Sequence, residues 1–243
     1  AHFPASTVAD ATQMRNRVLV GITGHAAGVS PGVVRHLGVG PTVVVDSALP
    51  DAALRLGSPG REAAATLTAA GLECACVDAS RKDGVLWSKL LINAAVNPTT
   101  ALLRLRNGDL LATRDDRSAR SSWSVVESVV REVLAVANAS KIRLEFPGQP
   151  VGDSSAAAGA TDERAQFQRA MAHIERALRN TAANTSSMLS DVLHARPTEI
   201  DTISGAVVRE GQRLGVPTPV SETLFALVRA VDGSYAKAIR LNA

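Results

Sequence analysis

Aromatic side chains are scarce in this chain: 3% of 243 residues, comprising one tyrosine, two tryptophans and four phenylalanines. So few rings leave little with which to stack nucleobases, and 26 Lys and Arg set against 23 Asp and Glu gather into no dense basic run. Nucleic acid is therefore not an expected partner despite a net charge of +3. Cysteine is nearly missing. Cys74 and Cys76 form a single C-x-C, read as two reduced thiols in a reducing compartment rather than a bridge. No run of about 18 apolar residues is present, so no membrane span is expected. Neither a secretory signal nor a transit peptide is legible, which points to the cytoplasm, with a mitochondrial location as the alternative. His25 and His36 lack a Cys, His or carboxylate at ligand spacing, so no metal site is expected and both are read as strand-end or turn histidines. What is abundant is small and aliphatic: 46% hydrophobic residues, rich in Ala and Val, enough for a sizeable core of close-packed helices and a small sheet.

Residues 1–16 carry little pattern. Strands are then predicted over Arg17–Thr23, Val33–His36, Pro41–Val45 and Leu72–Asp78, with a turn at Ser30-Pro31-Gly32 and a short helix over Arg61–Ala70 stopped by Gly71. The strands are expected to form a meander with parallel neighbours. From Ser80 onward the pattern is helical. A helix over Gly84–Val96 is expected to break or kink at Pro98, resume over Thr99–Leu105 and stop at Asn107-Gly108. Further helices are predicted over Ser121–Ala139, whose Trp123, Val126, Val129, Val130, Val133, Leu134 and Val136 make one apolar stripe, and over Asp162–Thr181, with Phe167, Met171, Ile174 and Leu178 inward. Phe146–Ala160, rich in Pro, Gly, Ser and Ala, reads as a flexible insertion. Thr198 is expected to cap a helix running to Leu214 and ended by Gly215, and a last helix covers about Ser221–Val231.

One stretch asks for more than packing. Lys89, Asn93 and Asn97 recur every four residues, so on a helix they line one face about 12 Å long. Leu86, Trp87, Leu90, Leu91, Ile92, Ala94, Ala95 and Val96 fill nearly everything else. A helix apolar on so much of its circumference does not sit at the surface as an ordinary amphipathic helix does, so the polar stripe is expected to line a cleft. A lysine held there can protonate or stabilise a developing oxyanion, and two carboxamides can orient a polar ligand.

The wording W-x-K-L-x-x-N-x-x-x-N-P-x-T-A-L at Trp87 onward, followed by Asn107-Gly108-x-Leu110, resembles the start of the substrate domain of ketopantoate reductases. The later run S-S-M-x-x-D-x-x-x-x-R-x-T-E-I-D from Ser186 to Asp201 resembles the same family. Upstream, G-I-T-G-H-A-A and P-G-V-V-R-H-x-G-x-G-P-T resemble the last third of its nucleotide-binding domain. The resemblance implies Lys89 as general acid, Glu199 for the substrate hydroxyl, and Asn93, Asn97, Asn107 and Ser187 as substrate ligands. It also implies NADPH as cofactor and reduction of 2-dehydropantoate to pantoate, although the family's G-x-G-x-x-G turn does not occur in this sequence. No cofactor-binding residue is therefore named. Two departures stand out: Ser204, where the family usually has asparagine, and Thr99, where leucine is common.

The expected architecture is an α/β remnant of a Rossmann-type domain over residues 1–80, then an all-α substrate-binding and dimerisation domain over residues 81–243 of the 6-phosphogluconate dehydrogenase C-terminal type. The expected partner is a small 2-keto acid, with a homodimer or a complementing chain possible. A non-catalytic scaffold is the competing reading.

Overall fold

Four valine-rich strands would make one meander only if the chain could turn back within a single sheet, and two glycines prevent this. The computed structural model describes residues 19–46, 58–146 and 163–241; the patternless first 16 residues and, apart from Phe146, the expected insertion lie outside the described residues. Five strands are found: β1 (Val20–Thr23), β2 (Ala26–Ser30), β3 (Val33–Gly38), β4 (Thr42–Asp46) and β5 (Cys74–Asp78). β1, β4 and β5 form one sheet in that order, with β1 antiparallel and β5 parallel to the central β4. β2 and β3 leave it as a separate hairpin, turning at Gly32 with φ 74°. The exit and return points pinch together. The Gly24 N–H donates to Pro41 O at 2.8 Å, and a Cβ on Gly40 would fall 2.6 Å from Gly24 O, so only glycine permits this crossing.

Central position explains the run Val43-Val44-Val45, buried on both faces instead of alternating. Val43 and Val45 pack with Val77 and Val85, and with the half-buried Val20 and Ile22. Helix α1 (Pro59–Ala69) covers this sheet; Ser58 caps it by accepting from Arg61 N, and Gly71 at φ 84° follows it. Cys74 and Cys76 are both free, on one face of β5.

The second part is helical: α2 (Lys82–Leu103), α3 (Asn107–Ala112), α4 (Arg120–Ala139), α5 (Glu163–Asn180), α6 (Ser187–Leu193), α7 (Ser204–Leu214) and α8 (Pro219–Leu241). The chain divides into two compact units at Leu86/Trp87, inside α2. α4 buries the whole stripe read from its sequence. On α5, Met171, Ile174 and Leu178 are buried, while Phe167 stays half-buried beneath the Arg131 guanidinium, 3.9 Å from the ring centre.

Pro98 does not break α2. Proline withholds one N–H and costs about 3 kcal/mol in a helix interior. Here every residue from 94 to 101 is buried, and along the same helix the buried Val85, Leu91 and Val96 each return roughly 1.5–3 kcal/mol. Thr99 Oγ1 donates to Ala95 O at 2.9 Å and Thr100 Oγ1 to Val96 O at 2.9 Å, giving carbonyls beside the proline an extra donor. Asn107-Gly108, expected to stop this helix, instead opens α3, because both their N–H groups are bonded by the turn after α5, to Asn184 O and Ala182 O. Thr198 likewise does not start α7, which begins at Ser204; residues 199–203 form turns, and the Thr198 hydroxyl donates to Asp232. α8 runs ten residues past the predicted Val231.

His173, 9% exposed on α5, carries a testable consequence. Burial, and then the Arg176 charge, push its pKa down to about 4. Unfolding returns it to about 6.5, so between those values the unfolded chain binds more protons and stability falls as pH falls. Urea unfolding at pH 7 and at pH 4.5 is expected to show His173→Phe losing about 2 kcal/mol less than the parent over this interval. Equal losses would mean that His173 takes up no proton on unfolding.

Candidate functional site

α2 sets three of the candidate residues. Leu91, Ala94, Ala95 and Val96 face the helical core and are fully or almost fully buried, which turns Lys89, Asn93 and Asn97 to a shared face. Lys89 and Asn93 are half-buried and Asn97 is 7% exposed. Among the described residues, no side-chain hydrogen bond ties up either carboxamide, so both retain donors and acceptors for a ligand. Desolvation pushes the Lys89 ammonium below the usual lysine value, and the Glu199 carboxylate acts against that fall. The negative charge therefore lies close enough to be felt at Lys89, although Glu199 arrives from 110 residues further along the chain.

Glu199 is exposed, on the turn that precedes α7. Its own carbonyl accepts from Thr202 N and Ile203 N, both at 3.1 Å, which closes the turn behind it.

At the opposite end of the stripe, one helical turn beyond Asn97, Thr100 Oγ1 lies 2.7 Å from Ser186 Oγ. The Thr100 proton goes to the Val96 and Asn97 carbonyls, so the Ser186 hydroxyl donates to Thr100 while accepting from Leu189 N at 3.1 Å. That bond fastens the first turn of α6, with the exposed Ser187, beside the Asn97 end. Ser186, the buried neighbour, thus holds α6 in place. Its signal in the sequence was that of a cap, a serine three residues before Leu189.

Asn107 is differently employed. Its Nδ2 donates to Thr181 Oγ1 at 2.8 Å, fixing α3 to the end of α5, while its Oδ1 is enclosed with no partner among the described residues. A Cβ on Gly108 would fall 2.9 Å from Ala182, so the Asn-Gly pair serves close docking. The hydroxyl of Ser204, at the departure from the family wording, is buried with no hydrogen-bond partner among the described residues.

Among the described residues of the strand-rich unit, no helix N-terminus is laid open as a cradle for a dinucleotide pyrophosphate. Such a cradle needs open backbone N–H groups at a helix N-terminus after a strand. At α1, however, Gly60 N already donates to Asp46 Oδ2 at 3.1 Å, and any Cβ on Gly60 would strike that carboxylate. After β5, the Asp78 carboxylate accepts from Ser80 N at 2.8 Å. Anionic side chains at both places oppose a diphosphate. His25 and His36 bond each other, Nδ1 to Nε2, at 2.9 Å. Among the described residues no cluster of three or more His, Cys, Asp or Glu is placed to hold a metal, and no helix is long and apolar enough to cross a membrane.

Residues 83–232 match the family model described as the C-terminal part of the PanE/ApbA ketopantoate reductases. The chain is 33% identical over 231 residues to a 2-dehydropantoate 2-reductase of Halobacterium salinarum, covering 94% of this chain and 61% of that one. It spans only 42% of another curated relative's length. Among solved structures it resembles a PanE/ApbA family ketopantoate reductase from Ralstonia eutropha, at a TM-score of 0.64 and 26% identity, covering 94% of this chain and 65% of that one. D-mandelate dehydrogenase, solved with NADH and anilino(oxo)acetate, shares the fold at a TM-score of 0.69 and 23% identity, covering 94% of this chain and 65% of that one. A small strand-rich unit followed by a helical domain, with the lysine, asparagine and glutamate signatures in place, therefore has its explanation in common descent: the chain belongs to the PanE/ApbA ketopantoate reductase family.

Proposed function

We propose that this chain forms the substrate-binding part of an NADPH-dependent reductase that converts 2-dehydropantoate to pantoate, a step toward pantothenate and coenzyme A. The observation that carries this reading is the desolvated Lys89 ammonium, on a helical face with Asn93 and Asn97, under the influence of the Glu199 charge. Reduction of a ketone leaves negative charge on its oxygen. Lys89 is suited to receive that charge and pass a proton to it, in surroundings where burial strengthens the interaction. Asn93, Asn97 and Ser187 supply neutral hydrogen bonds along the rest of the stripe for the carboxylate and carbonyl region; Asn107, which the family wording adds as a substrate ligand, would have to release its bond to Thr181 to serve. Glu199 accepts from the substrate hydroxyl and keeps a counter-charge near Lys89. NADPH supplies the reducing electrons in the complete enzyme; no described residue is assigned to it, given the carboxylates at the two described strand-to-helix junctions.

Glu199→Ala, introduced into the complete enzyme, is expected to raise KM for 2-dehydropantoate and lower kcat, reducing kcat/KM by about 10- to 1000-fold. Steady-state oxidation of NADPH, followed against substrate concentration, measures both. Unchanged KM and kcat would remove Glu199 from the site.

A further inference from the structure

Glu199 is exposed, and its local bonds, from Thr202 N and Ile203 N to its own carbonyl, close the turn only on its C-terminal side. Segments on turns lose about 1–2 kcal/mol of conformational freedom per residue when fixed, so some other contact must hold this one. That contact comes from α8. Asp232 Oδ2 accepts twice from the residue before Glu199, from Thr198 N at 3.2 Å and from Thr198 Oγ1 at 2.8 Å. Thr198 Oγ1 in turn accepts from Ile200 N at 3.4 Å. Thr198 is thus tied to the carboxylate directly and Ile200 through the Thr198 hydroxyl, while the carbonyl of Glu199 closes the turn behind it.

The surroundings show that the carboxylate is committed to this contact. Asp232 Oδ1 and the Tyr235 hydroxyl are both shut off from solvent. Burial first, then the Asp232 charge and a hydrogen bond with that carboxylate, push the Tyr235 phenol up, which keeps it a neutral donor beside the acid. Oδ2 is left to Thr198, which supplies both of its bonds.

We infer that Asp232 is a positioning residue for the Lys89 and Glu199 pair: acting through Thr198, it fixes from α8 the turn that carries Glu199 toward Lys89. The inference rests on the site reading above. It assigns Asp232 no contact with substrate.

The test reads Lys89 directly. The sequence holds four lysines, Lys82, Lys89, Lys141 and Lys237, so competitive acylation across pH followed by mass spectrometry resolves each one in the complete protein. In Asp232→Ala the Glu199 charge is no longer held near Lys89 and burial acts with less opposition. Lys89 is then expected to acylate about three- to tenfold faster at a fixed pH below its pKa, with Lys82 and Lys141 unchanged as internal controls for an intact fold. Asp232→Asn retains an acceptor for both Thr198 bonds and is expected to restore the parent rate. Glu199→Gln sets the ceiling for the effect. Should Asp232→Ala fail to fold, Thr198→Val removes one of the two bonds and is expected to move Lys89 the same way by a smaller factor. Parent-like Lys89 reactivity in Asp232→Ala and Thr198→Val, beside a shifted Glu199→Gln, would overturn the inference, as would an unshifted Glu199→Gln. Failure of the parent enzyme to reduce 2-dehydropantoate, with the Lys89 shifts present, would instead sink the substrate reading and leave the positioning role standing.

Discussion

Replacing Lys89 by alanine in the complete enzyme is expected to lower kcat by about a thousandfold, the usual consequence of removing both a general acid and the charge that stabilises an oxyanion. The binding of NADPH, to which no residue of this chain is assigned, is expected to persist, and its measurement by fluorescence separates lost chemistry from lost structure. The pH dependence has a definite sign. Turnover needs the protonated amine, and burial holds its pKa below the ordinary 10.5, so activity is expected to decline with rising pH earlier than it would for an exposed lysine. Stability runs the other way. Between the lowered folded pKa and the unfolded value, the unfolded chain binds more protons, so stability rises as pH rises through that window. Lys89→Met, which keeps the length of the side chain and drops the charge, is therefore expected to unfold at a higher urea concentration than the parent at neutral pH while being inactive. A Lys89→Ala enzyme with near-parental kcat would refute the assignment of the acid.

Glu132→Ala is expected to destabilise the helical unit by about 3 kcal/mol, measured by urea unfolding at pH 7. The first N–H groups of a helix have no partners within it. Pro219, at the start of α8, has none to offer, and the next two are met from α4: Val220 N donates to Glu132 Oε1 at 2.7 Å and Ser221 N to Oε2 at 2.8 Å. The Ser221 hydroxyl adds a third bond to Oε2 at 2.6 Å. A carboxylate at this end also suits the helix dipole. Glu132→Gln keeps one acceptor oxygen and is expected to lose less than half as much. A loss under about 0.5 kcal/mol for the alanine variant would show that water replaces the cap without cost.

Periodic features were legible before any coordinates. The stripe on α4 and the left-handed glycines after α1 and α7 follow from rules that act over one or two turns of chain. So does the face shared by Lys89, Asn93 and Asn97, which needs only that the segment be helical. The family wording then attached chemistry to that face. Local rules failed where a distant group changed the outcome. Pro98 looked like a break because its missing N–H is a local fact, whereas the burial that outweighs it is not. Asn107-Gly108 looked like a stop, yet it opens α3 against carbonyls of the turn after α5. Thr198 looked like a cap for the helix ahead of it, but its hydroxyl is claimed by Asp232 from 34 residues away. The separate hairpin depended on Gly24 meeting Gly40, a crossing that no single-strand pattern encodes.

By itself the amino-acid order determined where most of the long helices lie, which faces of them are apolar, and that a lysine and two asparagines share one side of a helix, because these follow from residue type and a 1.5 Å rise. Only the tertiary structure decided that a glutamate 110 residues away lends its charge to that lysine. It alone showed that the serine capping α6 latches beside the second asparagine and that an aspartate on α8 grips the turn carrying the glutamate. The physical reason is range: side-chain spacing along a helix is fixed by the backbone, whereas a hydrogen bond between helices exists only after the core has packed them side by side.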